Sequence, residues 1–141
     1  VSVSLQRIGK RKLYICGHSL GAAMATICAS RLEDKFPQLY TYGSPRVGGS
    51  EFVNNCLVDH YRHVNNNDIV TSVPFWIMGF RHHGDLTYIN TYGNIRQLTI
   101  WQRVKDQWRG RWAAIKKFQL FDGIRDHSMG SYSEYLKRRV D

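Results

Sequence analysis

The stretch Leu13-Tyr-Ile-Cys-Gly-His-Ser-Leu-Gly21 decides the fold of this 141-residue chain. The apolar run from Leu13 to Cys16 predicts a short buried strand, and the small residues from Gly21 onward predict a helix. Ser19 therefore lies where strand turns into helix, in the pattern G-x-S-x-G. A turn of this kind exposes a serine hydroxyl to a base, which the hydroxyl needs because it is a weak nucleophile. The backbone N–H of Leu20, at the start of the helix, is predicted to face an oxyanion formed beside Ser19.

The following residues continue the alternation of strands and helices. Further strands are predicted at Leu39–Tyr42 and Tyr61–Val64, and helices at Ala22–Leu32 and Gly48–Asp59. The order strand, helix, strand, helix, strand is typical of a parallel sheet made of βαβ units. We therefore predict an α/β fold in which a parallel sheet has flanking helices and ligands bind at the carboxyl ends of the strands.

The pattern changes after Ile69. Leu86 to Gln97 predicts a hairpin at the sheet edge, with Tyr92-Gly93-Asn94 near its middle. Trp101 to Phe118 predicts an amphipathic helix rich in tryptophan, with Lys and Arg in the gaps. This helix either packs on the sheet or contacts an anionic membrane surface. No recognised nucleic-acid motif accompanies it, so a nucleic-acid partner is not expected.

Composition favours an ordinary globular domain. With 141 residues, 43% of them hydrophobic, we expect one domain over residues 1–141. Twenty Lys and Arg against eleven Asp and Glu give a net charge of +9, which favours anionic partners. No apolar run reaches the length of a membrane span and no signal-peptide pattern is present, so a cytoplasmic or membrane-peripheral location is expected.

The three cysteines, Cys16, Cys28 and Cys56, are predicted to be buried reduced thiols. Their number is odd, and they fall in a predicted strand and on two predicted helices. Neither a C-x-x-C pattern nor a Cys/His cluster occurs, so no metal site is expected. No pattern implies a cofactor, and the oligomeric state is left open.

An activated serine needs a histidine base and an acid that orients it, in the chain order serine, acid, histidine. Asp68 is the best-placed acid because it follows the strand Tyr61–Val64 and so lies, like Ser19, at the carboxyl end of the parallel strands. Asp85, before the predicted hairpin, is the alternative. Asp59 precedes the strand and therefore lies at the opposite, amino end of the sheet.

The base is predicted to be His127, one of six histidines. It lies in a loop before a last helix that contains Tyr132, and a late loop can fold back over the sheet to meet Ser19. His83 is the second candidate. His18, inside the turn, is predicted to point away from the hydroxyl.

With Ser19, Asp68 and His127 assigned, the chain resembles the class 3 lipases, the fungal triacylglycerol lipase-like branch of the α/β-hydrolases. The resemblance rests on four blocks in order: Leu13–Gly21, Tyr40–Gly48, Tyr61–Pro74 and Asp126–Ser128. It implies that Ser19 is the nucleophile, Asp68 the acid and His127 the base, with Leu20 as one oxyanion donor. It also implies a partial α/β-hydrolase fold with its N-terminal strands missing. We therefore expect an N-terminally truncated fragment, with the second oxyanion donor upstream.

The function that these residues predict is hydrolysis of lipid esters, acylglycerol or phospholipid, through an acyl-enzyme. Two alternatives stay open. One is a non-catalytic remnant or membrane-surface module that uses the basic Trp-rich helix. The other is a thioesterase or another acyl hydrolase.

Overall fold

The computed structural model describes residues 11–65, 68–89, 95–96 and 127–137, and these residues form one five-stranded sheet. Its strands lie side by side in chain order. The first four run parallel and the last pairs antiparallel with the fourth. The strands are β1 (Tyr14–His18), β2 (Gln38–Tyr42), β3 (Asp59–Asn65), β4 (Asp85–Ile89) and β5 (Ile95–Arg96). The predicted α/β fold with a parallel sheet is confirmed.

Three α-helices lie within the described residues: α1 (Leu20–Ser30), α2 (Ser50–Asn55) and α3 (Met129–Lys137). Helix α1 packs on β1 and β2 through small buried side chains, among them Ala22, Ala25 and Ala29. Small side chains let the helix axis approach the sheet closely. A core of Leu39, Cys56 and Val58 completes this layer. None of the helices in the described ranges is long and apolar enough to cross a membrane.

Helix α2 is shorter than the sequence predicts. It ends at Asn55 rather than Asp59, and the chain from Cys56 to Val58 runs without helix into β3. Asn is a weak helix former, so the two asparagines at positions 54 and 55 are a poor continuation of the helix. The Phe52 ring packs against Gly48, where an added Cβ would lie 2.5 Å from it.

The burial prediction for the cysteines is correct for one of the three. All three are free thiols, and Cys56 is buried, but Cys16 and Cys28 are exposed. Cys16 follows Ile15, which packs against the core, so its side chain lies on the opposite face of β1. The antiparallel pairing of β4 with β5 agrees with the predicted hairpin, whose turn lies outside the described residues. The Trp-rich basic stretch also lies outside them.

Two backbone hydrogen bonds align the carboxyl ends of the first three strands. The N–H of Ser19, just after β1, donates to the carbonyl of Tyr42 at 3.0 Å. The N–H of Gly43, just after β2, donates to the carbonyl of His63 in β3, also at 3.0 Å. The loops after β1, β2 and β3 therefore begin side by side at the carboxyl end of the sheet.

Candidate active site

Ser19 occupies a strained turn between β1 and α1. Its φ of 58° and ψ of −130° are unusual for a residue with a side chain. Gly17 makes the turn possible, because a Cβ there would collide with the backbone of Gly21 and Ala22. Since the first N–H groups of a helix have no partner within it, the N–H of Leu20 points out of the start of α1. The turn thus presents a hydroxyl and a backbone donor together.

The His127 ring lies between Ser19 and Asp68. Its Nε2 is 2.7 Å from Ser19 Oγ, and its Nδ1 is 3.0 Å from both carboxylate oxygens of Asp68. An ionised carboxylate can only accept a hydrogen bond, so Nδ1 carries the proton. Nε2 of the neutral ring is then unprotonated and accepts the bond from the Ser19 hydroxyl. The structure brings together the three residues that the sequence predicts for the site.

Asp68 is 3% exposed, and its carboxylate accepts further hydrogen bonds besides those with His127. The N–H of Val70 donates to Oδ1 at 3.0 Å, and the hydroxyl of Tyr132 donates to Oδ2 at 2.6 Å. A buried carboxylate needs such donors, because burial removes it from water. The same bonds fix the plane of the carboxylate that faces His127.

Tyr132, on α3, is a member of the site that sequence analysis missed. Its side chain is fully buried, and its oxygen also accepts the N–H of Asn65 at 3.0 Å. The hydroxyl therefore joins the carboxyl end of β3 to Asp68. Its position on the helix directly after His127 is the signal that could have indicated this role.

His18 is the second missed residue. Its place inside the turn predicts that it points away from the hydroxyl. Its ring stacks on that of His127, with centroids 4.7 Å apart and planes inclined by 29°. Its Nε2 lies 2.6 Å from the carbonyl oxygen of His127, to which it donates. His18 thus holds both the ring and the backbone of the predicted base.

Gly43 leaves the space that the acid and the base occupy. Its φ is +58°, and an added Cβ would lie 2.6 Å from Asp68 Oδ2 and 2.9 Å from His127 Nδ1. We expect Gly43→Ala to displace both groups and to lower ester hydrolysis by about a hundredfold, the effect of misplacing a reacting group by about an ångström. The measurement is kcat/KM on a dissolved ester.

Gly79→Ala is the matched control for this substitution. Gly79 also has a positive φ, +86°, but an added Cβ there meets nothing within 4 Å. Both variants bear the backbone strain, and only Gly43→Ala crowds the site. Equal activity of the two variants would contradict the role of Gly43.

The two alternative candidates lie elsewhere. Asp85 is the first residue of β4, so it lies at the amino end of a parallel strand, whereas Asp68 lies beyond the carboxyl end of β3. His83 Nδ1 lies 3.1 Å from His60 Nδ1, and its Nε2 lies 3.0 Å from the carbonyl of Cys56. Among the residues that the structure describes, no three His, Cys, Asp or Glu side chains could hold a metal ion together.

The partners of His83 and His60 determine where the protons of these two rings lie. The Cys56 carbonyl can only accept, so His83 Nε2 carries the proton and its Nδ1 is an acceptor when the ring is neutral. His60 Nδ1 must then donate to His83, and His60 Nε2 accepts from the Thr41 hydroxyl at 2.7 Å.

Buried histidines make the stability of the fold depend on pH. Burial and the proximity of His83 lower the pKa of His60 to about 3, and burial and the charge of Arg62 lower the pKa of His82 to about 3. In the unfolded chain a histidine has a pKa of about 6.5. Between these values the unfolded state binds more protons than the folded state, so stability falls as the pH falls.

We expect the free energy of unfolding to drop by about 2 kcal/mol for each of these two histidines between about pH 7 and about pH 5. Ordinary carboxylates remain largely ionised over this range, so they contribute little. Urea titrations at several pH values measure the change. A free energy of unfolding that is constant over this range would contradict the prediction.

Comparison with known proteins identifies relatives of this chain. A family model described as lipase (class 3) matches residues 1–78. The toxin TseL of Vibrio cholerae is 46% identical over 69 residues, which are 45% of this chain and 11% of that protein. Secreted mono- and diacylglycerol lipase 1 of Fusarium solani is 45% identical over 76 residues, 50% of this chain and 23% of that protein. The chain thus spans less than a quarter of the length of either curated relative.

A solved structure agrees with the sequence comparison. The native Rhizomucor miehei lipase propeptide complex aligns with a TM-score of 0.60 at 32% sequence identity. The alignment covers 67% of this chain and 34% of that one. Sequence and structure therefore point to the same group of proteins.

Proposed function

The chain belongs to the class 3 lipase family and has the α/β-hydrolase fold, and from this premise we propose that the protein carrying it hydrolyses carboxylic esters of lipids. The observation that carries the proposal is the line of contacts from Ser19 Oγ through His127 to Asp68, with distances of 2.7 and 3.0 Å. A serine, a histidine and a carboxylate in this arrangement perform acyl transfer on unrelated folds.

In the proposed reaction Ser19 Oγ attacks the ester carbonyl carbon while His127 Nε2 takes the hydroxyl proton. Asp68 stays ionised, orients the ring and stabilises the imidazolium that forms. His127 then gives the proton to the departing alcohol, which leaves an acyl group on Ser19. A water molecule, deprotonated by the same nitrogen, attacks that acyl group. The bond between the acyl carbon and Ser19 Oγ then breaks, His127 returns the proton to Oγ, and the carboxylic acid leaves.

Leu20 is proposed to stabilise the oxyanion of the tetrahedral intermediate through its backbone N–H. The position of this residue at the start of α1 supports the assignment, since the helix dipole adds a partial positive charge there. Each donor of this kind contributes about 3 to 4 kcal/mol of transition-state stabilisation.

Glycerides are the first substrate class to test, because the Fusarium solani relative is named a mono- and diacylglycerol lipase. Phospholipids carry the same acyl ester linkage and are the second class. The thioesterase alternative shares the chemistry of Ser19 but differs in its leaving group. The non-catalytic alternative differs in having no turnover at all.

The test is release of fatty acid by the full protein from emulsified mono-, di- and triacylglycerol, from phosphatidylcholine and from long-chain acyl-CoA. We expect glycerides to be cleaved fastest. A preference for acyl-CoA would favour the thioesterase. Absence of turnover on every substrate, by protein that circular dichroism shows to be folded, would contradict the proposal and favour the non-catalytic alternative.

A further inference from the structure

Four consecutive apolar side chains project from the turn after Asp68. Phe75, Trp76, Ile77 and Met78 are 59%, 54%, 78% and 64% exposed. We call these four residues the apolar tip. Single exposed apolar residues are ordinary on protein surfaces, whereas a contiguous group of them marks an interaction site.

Hydrogen bonds hold the backbone of the apolar tip. The N–H of Met78 donates to the carbonyl of Phe75 at 2.9 Å, and the N–H of Gly79 donates to the carbonyl of Trp76 at 3.0 Å. Arg81 Nη1 also donates to the carbonyl of Trp76, at 2.8 Å. Carbonyls that already have donors enter an apolar phase at much lower cost than bare ones.

Two arginines lie at the base of the apolar tip. Arg46 donates to the carbonyls of Ser72 and Pro74 on its N-terminal side, and Arg81 donates to those of Trp76 and Phe80. Arg81 forms an antiparallel bridge with Gly48, and its N–H donates to the Gly48 carbonyl at 2.7 Å, so the two arginines lie on neighbouring segments of backbone. Within the described part of the chain, neither arginine forms an ion pair with a carboxylate.

We propose that the apolar tip and the Arg46–Arg81 pair form a docking surface for an anionic phospholipid surface. The apolar side chains enter the boundary between headgroups and acyl chains, and the guanidinium groups bind lipid phosphates. Aromatic and aliphatic side chains beside basic ones are the composition of interfacial binding segments. This docking rests on the proposed function in one respect: the lipid surface is where the ester substrate resides.

Charge favours this partner over a second copy of the chain. A two-fold contact between copies sets the same patch against itself. The two arginine pairs would then face each other, and like charges repel. An anionic lipid surface instead supplies phosphates to both cations and a fluid apolar layer to the four side chains.

The test compares binding of the full protein to vesicles of phosphatidylglycerol and phosphatidylcholine with binding to vesicles of phosphatidylcholine alone. The double variant Ile77→Ser/Met78→Ser is expected to bind the anionic vesicles about ten- to a hundredfold more weakly than the parent. Leu57→Ser is the matched control, because Leu57 is a single apolar residue, 83% exposed, just before β3. It is expected to bind as the parent does.

A second pair of variants tests the charges. Arg81→Gln is expected to weaken binding to anionic vesicles about fivefold, and Arg31→Gln, an exposed arginine after α1, is expected to have a smaller effect. Quenching of tryptophan fluorescence by brominated phospholipid is a further measurement, and the variant it uses keeps an apolar ring at position 76. Quenching in the parent should exceed that in Trp76→Phe, and equal quenching would count against the proposal.

Hydrolysis of a dissolved short-chain ester separates docking from chemistry. The double variant should cleave it at the parent rate, since both side chains are mostly exposed and neither belongs to the hydrogen bonds that join Ser19, His127 and Asp68. If the parent cleaves no ester, the proposed function fails while the vesicle comparison still decides the docking surface. The docking proposal would be overturned if the double variant bound anionic vesicles as tightly as Leu57→Ser does. If the parent is a dimer that the double variant dissociates, and the double variant still binds vesicles, the apolar tip contacts a second copy of the chain instead.

Discussion

Ser19→Ala is expected to lower kcat/KM for ester hydrolysis by about four to six orders of magnitude. The substitution removes the attacking oxygen and leaves the neighbouring groups in place. The backbone at position 19 keeps its φ of 58°, which strains alanine and serine alike. The free energy of unfolding should therefore change little, so the loss measures chemistry rather than folding. A pH-stat assay on a dissolved ester and a thermal melt measure the two quantities.

Ser30→Ala is the matched control for this prediction. Ser30 ends α1, and its hydroxyl donates only to the carbonyl of Ile27. Its removal is expected to leave turnover at the parent level. Retention of parent activity by Ser19→Ala would contradict the proposed nucleophile.

Asp68→Asn is expected to lower kcat by about three to four orders of magnitude. The asparagine side chain has one acceptor oxygen, whereas Asp68 accepts from His127, Val70 and Tyr132. An amide NH2 directed at His127 Nδ1 donates to it and forces the ring proton onto Nε2. That nitrogen then cannot accept the proton of Ser19, so the base is disabled even though the ring stays in place.

The control here is Asp85→Asn, at the acid that the sequence offered as the alternative. Asp85 is exposed at the start of β4 and should tolerate the amide without loss of activity. The reverse result, a large loss in Asp85→Asn and little in Asp68→Asn, would show that the wrong acid was assigned.

The strands and the three principal site residues could be predicted because each depends on a local or directional feature. Short apolar runs predict β1 and β2, whereas β3 is mostly polar and follows from its place in the alternation of strands and helices. A parallel sheet places the loops after its strands together at the carboxyl end of the strands. Asp68 could be predicted as the acid because it comes after β3, at the same end of the sheet as Ser19. Chain order admits both His83 and His127, and the late loop that can fold back over the sheet favours His127.

The other members of the site depend on contacts between residues that are far apart in the chain. Tyr132 meets Asp68 across 64 positions, and His18 meets His127 across 109. No local pattern specifies the partner in either case. Gly43 carries no local signal for its role, since that role arises from the two side chains that occupy the space beside it. The exposure of Cys28 could not be predicted either, because an apolar residue on a helix does not reveal which face meets the sheet.

Labelling with a fluorophosphonate probe shows whether His127 activates Ser19, because the probe reacts with activated serines. The full protein should carry one phosphonate adduct, which mass spectrometry of the tryptic peptides should locate on Ser19. Ser19→Ala and His127→Ala should remain unlabelled, whereas Ser30→Ala should be labelled like the parent. An adduct on another serine, or undiminished labelling of Ser19 in His127→Ala, would contradict the claim.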